Sequence, residues 1–309
     1  MCSSNTTEGS NPSLSAINQD FSLTIFQQKY VWLHIGCTYK TIFISTFLLV
    51  GGKIIVMSKL FIFFVLVFYS FSNSYAKPPY WGTIFDFPDI INSNDPTTLQ
   101  ELIYVGQDHR EMFDRRKGGR WITKKVFLFN AIYEDRTIEI QVNPEFKNYE
   151  NALEEALTYS KVIGRLPNFL LTNVKTIWIH KGNNDYGGGN QNLLIHIGRS
   201  VEYISKKILE ETFIHEAGHT SLDWDWGGVI NKSQWYKAVK KDKEYISEYA
   251  KQYPKSEDVA ESIVAWIAVR YRLDRISNGN AEIILKTIPN RLKFFDEQNF
   301  DMYPLVPRE

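Results

Sequence analysis

The stretch ILEETFIHEAGHTSLD, residues 208–223, carries the pattern that decides the fold. His215 and His219 lie four residues apart, so a helix places both imidazoles on one face, one turn apart. Two nitrogens so placed can reach one zinc ion at about 2.0–2.1 Å. Glu216, beside the first histidine, can accept a proton from an attacking water. The stretch therefore predicts a helix that carries a zinc site and a general base.

The residues around the two histidines favour a helix packed against the rest of the protein. Leu209, Phe213 and Ala217 recur at four-residue spacing and give the helix an apolar stripe. Gly218 lowers the helix propensity inside the motif, which fits the close approach of a ligand or another strand. A surface helix with two accidental histidines is the alternative interpretation.

A second acidic segment, SEDVAES at residues 256–262, follows downstream. Together with the HEAGH pattern at residues 215–219, it resembles the gluzincin branch of the zincin metallopeptidases. The resemblance implies that Glu257 is the third zinc ligand, and that Glu261, one turn later, orients a ligating histidine. It also implies a zincin-like fold that lays an extended substrate along an edge strand.

The resemblance to gluzincins covers about residues 149–276. The glycine-rich turn at residues 186–190 and the strand Leu193–Ile197 would match the edge strand of zincins. Two neutral histidines and one carboxylate leave a net positive charge on zinc and an open fourth position, which lowers the pKa of a bound water toward 7.

Other carboxylates compete with Glu257 for the third ligand position. Asp225 lies six residues after His219, the spacing of the third ligand in metzincins, but Leu222 stands where that pattern needs glycine. Asp223 and Glu261 are further rivals. Glu257 itself could instead be a solvated residue at a helix start, where the helix dipole favours a carboxylate.

A phenol that stabilises the oxyanion of the tetrahedral intermediate is common in zincins. The candidates are Tyr245, Tyr249 and Tyr253. We favour Tyr249, because Ser247-Glu248-Tyr249-Ala250 resembles the context of such a tyrosine in some gluzincins, with a one-residue offset. The alternative is a tyrosine that only packs.

The remaining pattern predicts an α+β domain with a mixed sheet, whose edge strand packs on the active-site helix beside a second, ligand-bearing helix. Strands are predicted at Val126–Tyr133 and Thr137–Val142, which form a hairpin, and at Val174–His180 and Leu193–Ile197. Helices are predicted at Thr97–Tyr104, Tyr149–Ile163, Val201–Asp223, Trp235–Tyr253 and Ser256–Ile276.

Residues 57–76 have the features of a secretory signal peptide. A lysine precedes the unbroken apolar run LFIFFVLVF at residues 60–68, and Ser74-Tyr75-Ala76 offers a cleavage site of the small-x-Ala type. The run is too short for a comfortable membrane span. We therefore expect a secreted or periplasmic protein with no membrane span after cleavage.

The signal peptide divides the chain of 309 residues into three parts. Residues 1–56 are interpreted as an upstream extension outside the native protein, because a signal peptide should begin its protein. Residues 77–309 are predicted to be the metallopeptidase domain, with an arm and hairpin at 77–148 and a catalytic core at 149–309.

Composition narrows the classes of function further. Both cysteines, Cys2 and Cys37, precede the predicted cleavage site, so the exported chain would have no disulfide and no cysteine ligand. The 35 basic residues balance the 35 acidic ones, and the absence of a basic surplus argues against nucleic acid as a partner.

The predicted function is that of an exported zinc metallopeptidase that hydrolyses peptide bonds in a peptide or protein substrate, with Glu216 as general base. One alternative is a metal-binding or structural protein without catalysis on a zincin scaffold. The other is a zinc amidase that acts on cell-wall amides.

Several other polar and aromatic residues are given structural interpretations. His180 and His196, on predicted strands, are expected to be hydrogen-bonded in place. Asp114-Arg115-Arg116 could bind a substrate carboxylate, but a solvated ion-pair cluster is the favoured reading. Trp224 and Trp226 could line a specificity pocket or cap the core, and the sequence does not decide between the two.

Overall fold

The computed structural model describes residues 77–308 and, in the segment before them, the backbone of four short strands. These strands pair as two antiparallel hairpins, β1 (Leu33–Ile35) with β2 (Thr38–Lys40) and β3 (Leu48–Val50) with β4 (Lys53–Ile55). The predicted signal peptide at residues 57–76 lies outside the described residues. Within residues 77–308, no helix has the length and apolar content needed to cross a bilayer.

The described residues 77–308 lie within one compact unit. Its strands are β5 (Leu99–Asp114), β6 (Arg120–Tyr133), β7 (Thr137–Val142), β8 (Thr176–His180), β9 (Gly187–Gly189) and β10 (Asn192–His196). Its described α-helices are α1 (Thr83–Asp86), α2 (Tyr149–Ile163), α3 (Ile197–Ser205), α4 (Leu209–Ser221), α5 (Lys232–Asp242), α6 (Glu248–Gln252), α7 (Asp258–Tyr271), α8 (Asn278–Thr287) and α9 (Pro289–Asp296).

The six strands β5–β10 form one mixed sheet in the order β5-β6-β7-β8-β10-β9. The central strands β7, β8 and β10 run parallel, and every other neighbouring pair is antiparallel. The helix α2 makes the connection that a parallel β7–β8 pair needs. The prediction of an α+β domain with a mixed sheet is therefore confirmed.

The side chains of the central strands alternate between the two faces of the sheet, and so the apolar core has two parts. Ile177 and Ile179 belong to the large core that the sheet shares with the helices. Trp178 and Leu194 point to the opposite face, where they pack against Met112 of β5. The second face of the sheet is therefore covered by the sheet's own long hairpin, β5–β6.

The hairpin β5–β6 reaches this position by bending across the sheet. Its ladder shifts register between Leu99 and Glu101 and again between Tyr104 and Gly106. Further out, the Trp121 ring meets Trp178 edge to face, with ring centroids 5.5 Å apart. The hairpin tip, residues 115–119, therefore lies beside the carboxyl ends of the central strands.

Several predicted elements differ from the structure at their ends or in type. The predicted helix Thr97–Tyr104 is wrong, because these residues enter β5 and pair with β6, so that pairing overrides local propensity. The predicted helix Val201–Asp223 is broken into α3 and α4 at Lys207, which has φ +57°. The helix predicted over Trp235–Tyr253 is likewise divided, at Lys243, which has φ +64°.

The prediction for the helix Tyr149–Ile163 is confirmed to the residue. The Asn148 side chain caps its start by accepting a hydrogen bond from the Asn151 N–H, and Gly164 follows its end. The predicted hairpin of Val126–Tyr133 and Thr137–Val142 is also confirmed, as the paired ends of β6 and β7.

The strand histidines are fixed in the core, as the sequence predicted. The Asn143 amide donates to His180 Nδ1 at 2.9 Å, and His196 Nδ1 donates to the Lys181 carbonyl at 3.2 Å. Both imidazoles are fully buried and stack with their ring centroids 5.2 Å apart. Burial and the neighbouring His196 lower the pKa of His180 to about 4.

This pKa predicts that the protein loses stability as the pH falls from about 6.5 to about 4. An unfolded histidine has a pKa of about 6.5, so the unfolded chain binds the proton first, and full protonation costs about 3 kcal/mol. In urea unfolding with a chelator present, His180→Gln should flatten the loss of unfolding free energy across this range. The variant His109→Gln, at an exposed position, should keep the slope of the wild type, and an unchanged slope in His180→Gln would contradict the assignment.

Candidate metal centre

The helix α4 is held in the core by close contact with α7. Nearly all its residues are buried, and its apolar stripe faces the large core. A Cβ atom at Gly218 would lie 3.3 Å from Ile263 Cγ2 and 3.5 Å from Ala260 Cα. Glycine at this position therefore lets the backbones of α4 and α7 approach, which brings the start of α7 against the two histidines.

Three side chains converge where α4 meets the start of α7. His215 Nε2 and His219 Nε2 lie 3.1 Å apart. Glu257 Oε2 lies 3.3 Å from His215 Nε2 and 3.1 Å from His219 Nε2. Among the described residues, these three form the one group of histidine and carboxylate ligand atoms close enough together to hold a metal ion.

The opposite nitrogen of His215 faces a second carboxylate. Glu261 Oε1 lies 3.4 Å from His215 Nδ1, a contact with the geometry of an ion pair rather than of a formed hydrogen bond. Glu261 is anchored from the other side by the first residue of α1. The Thr83 N–H donates to Glu261 Oε2 at 2.7 Å, and the Thr83 hydroxyl donates to the Glu261 carbonyl at 3.0 Å. The arm before β5 therefore holds the carboxylate that faces His215.

The electrostatics of the group favour a cation. Burial opposes protonation of His215, but the carboxylates of Glu257, Glu261 and Glu216 outweigh it and raise the pKa of His215 to about 9. Burial likewise opposes ionisation of Glu257, yet hydrogen bonds from the two histidines hold the pKa of this carboxyl well below its usual range. The carboxylates around His215 therefore favour a positive charge at this point, and a bound cation would supply one.

Glu216 and Tyr249 flank the three converging side chains. Glu216 lies on α4 between the histidines and is not one of the converging ligand groups. The Tyr249 ring, on α6, stacks on the His215 ring with centroids 6.5 Å apart. Burial and the charges of Glu257 and Glu216 raise the pKa of Tyr249 to about 12, so the phenol keeps its proton at neutral pH.

The strand that lies against α4 is not the predicted one. The predicted edge strand, Leu193–Ile197, corresponds to β10, which lies between β8 and β9 in the sheet. The edge is β9, the three glycines Gly187–Gly189, which the sequence analysis placed in a turn. The turn is instead Asn190-Gln191, where both residues have positive φ, as a tight two-residue hairpin requires.

The edge strand is joined to α4 through its backbone. A Cβ atom at Gly188 would overlap the Glu216 carbonyl oxygen, so only glycine fits there. The Thr220 hydroxyl lies between β9 and β10. It accepts from the Gly189 N–H at 2.7 Å and donates to the Asn192 carbonyl at 2.9 Å. Residues directly beside the HEAGH pattern therefore hold the edge strand in place.

This contact predicts that Gly188→Ala is destabilising. The added methyl group must push β9 away from α4, and overpacking of this kind costs about 1–3 kcal/mol. Urea unfolding should show a lower midpoint for this variant. Gly279→Ala is the matched control, because its nearest neighbour beyond the adjoining residues is Ser277 Oγ at 3.9 Å. A Gly188→Ala protein as stable as the control would contradict the contact.

The rivals for the third ligand lie elsewhere. The Asp225 side chain is 61% exposed and lies 3.8 Å from Lys232 Nζ. Asp223 caps the turn after α4 by accepting a hydrogen bond from the Asp225 N–H at 3.0 Å. Of the two alternatives to Tyr249 as the oxyanion-binding phenol, Tyr245 lies under the guanidinium of Arg291, and Tyr253 packs edge to face on Tyr249.

Three contributors to the centre were not predicted: Thr83, Gly188 and Thr220. Thr83 gives no signal in the sequence, because its partner Glu261 is 178 residues away. The run of three glycines was visible, but it reads as a turn.

Comparison with known proteins gives no match. No family model, curated protein or solved structure resembles this chain closely enough to be reported.

Proposed function

We propose that this protein is a zinc-dependent metallopeptidase of the gluzincin type, with His215, His219 and Glu257 as the zinc ligands. The observation that carries the proposal is the size of the triangle formed by the three ligand atoms. Its sides are 3.1, 3.1 and 3.3 Å. Bonds of 2.0–2.1 Å in tetrahedral geometry separate neighbouring ligand atoms by about 3.3 Å.

The chemistry of the donors supports zinc over magnesium and calcium. Magnesium and calcium prefer oxygen ligands, whereas two imidazoles and one carboxylate are a donor set typical of catalytic zinc. The carboxylate of Glu261 near His215 Nδ1 favours a proton on that nitrogen, which leaves the lone pair of Nε2 for the metal. Three protein ligands leave a fourth position for water or substrate.

The flanking side chains supply the proton transfers. Zinc bound here would polarise the scissile carbonyl and make an attacking water more acidic. Glu216 takes the proton of that water and passes it to the leaving amine. Tyr249, which is protonated at neutral pH, donates a hydrogen bond to the oxyanion.

The edge strand offers the substrate a backbone to pair with. The Gly189 N–H points toward β10, where it meets Thr220, and successive residues of an antiparallel strand alternate their bonding direction. The N–H and C=O of Gly188 therefore face the free edge of the sheet, directly beside Glu216. We propose that an extended peptide pairs with Gly188 there, which holds its scissile bond close to the zinc ligands.

A metal and cleavage assay tests this function. Metal analysis of the purified protein should find one zinc ion per chain. A mixed peptide library should be cleaved, cleavage should stop with a chelator, and zinc should restore it. Purified peptidoglycan as a parallel substrate tests amidase activity, and cleavage of peptidoglycan alone would replace the peptidase proposal. A protein that binds zinc and cleaves neither substrate would be a non-catalytic metal protein.

The phenol of Tyr249 has its own test. Tyr249→Phe keeps the ring against His215 but removes the hydrogen bond to the oxyanion, so kcat should fall about 100-fold while zinc content stays at one per chain. Tyr253→Phe, on the neighbouring ring, serves as the matched control and should retain wild-type kcat. Full activity in Tyr249→Phe would remove this residue from the mechanism.

We also propose that the enzyme acts outside the cytoplasm, after removal of residues 57–76. Mass spectrometry of the native N-terminus tests this. Peptides from residues 1–40 would contradict both the start at Met57 and the signal peptide.

A further inference from the structure

Arg115 is an arginine without a carboxylate partner at the edge strand. Ten of the twelve arginines among the described residues form an ion pair with an aspartate or glutamate, and the exceptions are Arg115 and Arg120. Arg115 is exposed and donates one hydrogen bond, to the carbonyl of Tyr186, the residue just before β9. Its guanidinium keeps further donors free for a ligand.

The side chain of Arg115 lies against the first glycine of the edge strand. A Cβ atom at Gly187 would lie 2.8 Å from Arg115 Nη2. The tip of the hairpin β5–β6 delivers this arginine, and its neighbour Arg116 is anchored there by Asp114 and Glu145. Residues 77–148 thus contribute a charged group to the edge at which we place the substrate.

A large aromatic side chain lies against the third glycine. Gly189 has φ +118°, and a Cβ atom there would lie 2.8 Å from Cε2 of the Trp226 indole. Trp226 is 47% exposed. At Gly188, between them, the Cβ position meets the Glu216 backbone of α4. Arg115 and Trp226 therefore lie against the first and third glycines of the strand, and the glycine between them lies against α4 instead.

We propose that Arg115 and Trp226 form two substrate subsites, one for an acidic side chain and one for an aromatic or large apolar side chain. The proposal rests on the proposed function, because it needs an extended peptide paired with β9. In such a peptide, the residues opposite Gly187 and Gly189 point to Arg115 and Trp226, and the residue between them points to α4. The preferred substrate therefore carries an acidic and an aromatic residue separated by one position.

The chemistry of each group fits its proposed ligand. A guanidinium presents parallel N–H donors that match a carboxylate, and such charge-assisted hydrogen bonds are stronger than neutral ones. The indole offers a flat apolar face for another ring, in the offset or edge-to-face arrangement that aromatic pairs prefer. The bare glycine backbone between them contributes no side chain of its own, so these two residues supply the contacts on that face.

Peptide binding tests the subsites separately from catalysis. The full chain with Glu216→Gln, loaded with zinc, is titrated into fluorescein-labelled peptide pools that contain Glu-Xaa-Phe or Phe-Xaa-Glu, each with a matched pool that has Gln in place of Glu. For one of the two sequence orders, Glu-Xaa-Phe or Phe-Xaa-Glu, the protein should bind the pool with Glu about tenfold more tightly than the matched pool with Gln. Arg115→Gln should abolish this preference, and Trp226→Ala should weaken both members of the preferred pair equally.

Arg120→Gln is the matched control. Arg120 lies on the same hairpin, also lacks a carboxylate partner, and is not among the side chains nearest to the glycines of β9, so this variant should keep the tenfold preference. The subsite proposal is overturned if no pool shows a preference for Glu, or if the preference survives in Arg115→Gln. Arg115-dependent binding by a zinc-loaded wild-type protein that cleaves no peptide would instead overturn the peptidase function and leave the subsites standing.

Discussion

The Glu216→Gln protein is expected to bind one zinc ion per chain and to lose peptidase activity by about 10³-fold in kcat. Glutamine keeps the shape of the side chain on α4 but cannot accept a proton at neutral pH. The proposed zinc ligands His215, His219 and Glu257 do not include Glu216, so the metal should remain. Metal analysis and the initial rate of cleavage of one library-derived peptide measure the two effects on the same sample.

The matched control for this change is Glu282→Gln, an exposed glutamate on α8 outside the metal centre. It should keep wild-type zinc content and kcat. A Glu216→Gln protein with wild-type kcat would eliminate the general-base mechanism. Loss of zinc from this variant would mean that Glu216 is a ligand, in conflict with the triangle formed by the other three side chains.

The parts of the centre that the sequence predicts are those that local geometry controls. The spacing of His215 and His219 becomes a shared face because a helix has a fixed period, and α4 forms through both residues. Glu257 and Glu261 lie one turn apart at the start of α7, and they reach opposite nitrogens of the same imidazole, His215. Once both helices are present, the contact at Gly218 brings the two pairs together.

The parts that the sequence does not predict depend on contacts between distant segments. Gly187–Gly189 has no side chains and thus no alternating pattern, and it becomes a strand because it pairs with β10 and packs on α4. Of the hairpin β5–β6, the sequence predicted only the end of β6 that pairs with β7, and it assigned the start of β5 to a helix. The register shifts along β5 and the packing of Trp121 on Trp178 depend on residues far apart in the chain, so they give no local signal. The residues 77–148 therefore looked like an appendage in the sequence, although they supply half of the sheet and one wall of the proposed substrate edge.

The contact between Thr83 and Glu261 also joins distant segments and could not be predicted from the sequence, and it bears on the affinity of the centre for a metal ion. A carboxylate near Nδ1 of a ligating histidine raises the basicity of the other nitrogen and fixes the orientation of the ring. Here the backbone N–H of Thr83 sets the position of Glu261, so we expect the segment before β5 to influence metal affinity although it supplies no ligand.

The Glu257→Gln protein is expected to lose zinc affinity more severely than any other variant that keeps both histidines. The amide removes the one negative charge among the three ligands, and a neutral oxygen is a poorer donor to zinc. The dissociation constant for zinc, measured by competition with a chromogenic chelator, should rise more than about 100-fold, the upper end of the effect of residues that only orient a ligand.

Two further variants distinguish a ligand from its neighbours. Glu261→Gln should raise the dissociation constant by about 10–100-fold, because it leaves the ligand atoms in place and changes only the partner of His215 Nδ1. Asp225→Asn should have no effect, since the Asp225 side chain is 61% exposed and lies near Lys232 rather than near the histidines. The ranking of the three variants by their loss of zinc affinity is the sharpest test of the centre, because each choice of third ligand predicts a different ranking. A larger loss in Asp225→Asn than in Glu257→Gln would move the third ligand to the turn after α4, and a larger loss in Glu261→Gln would move it one turn along α7.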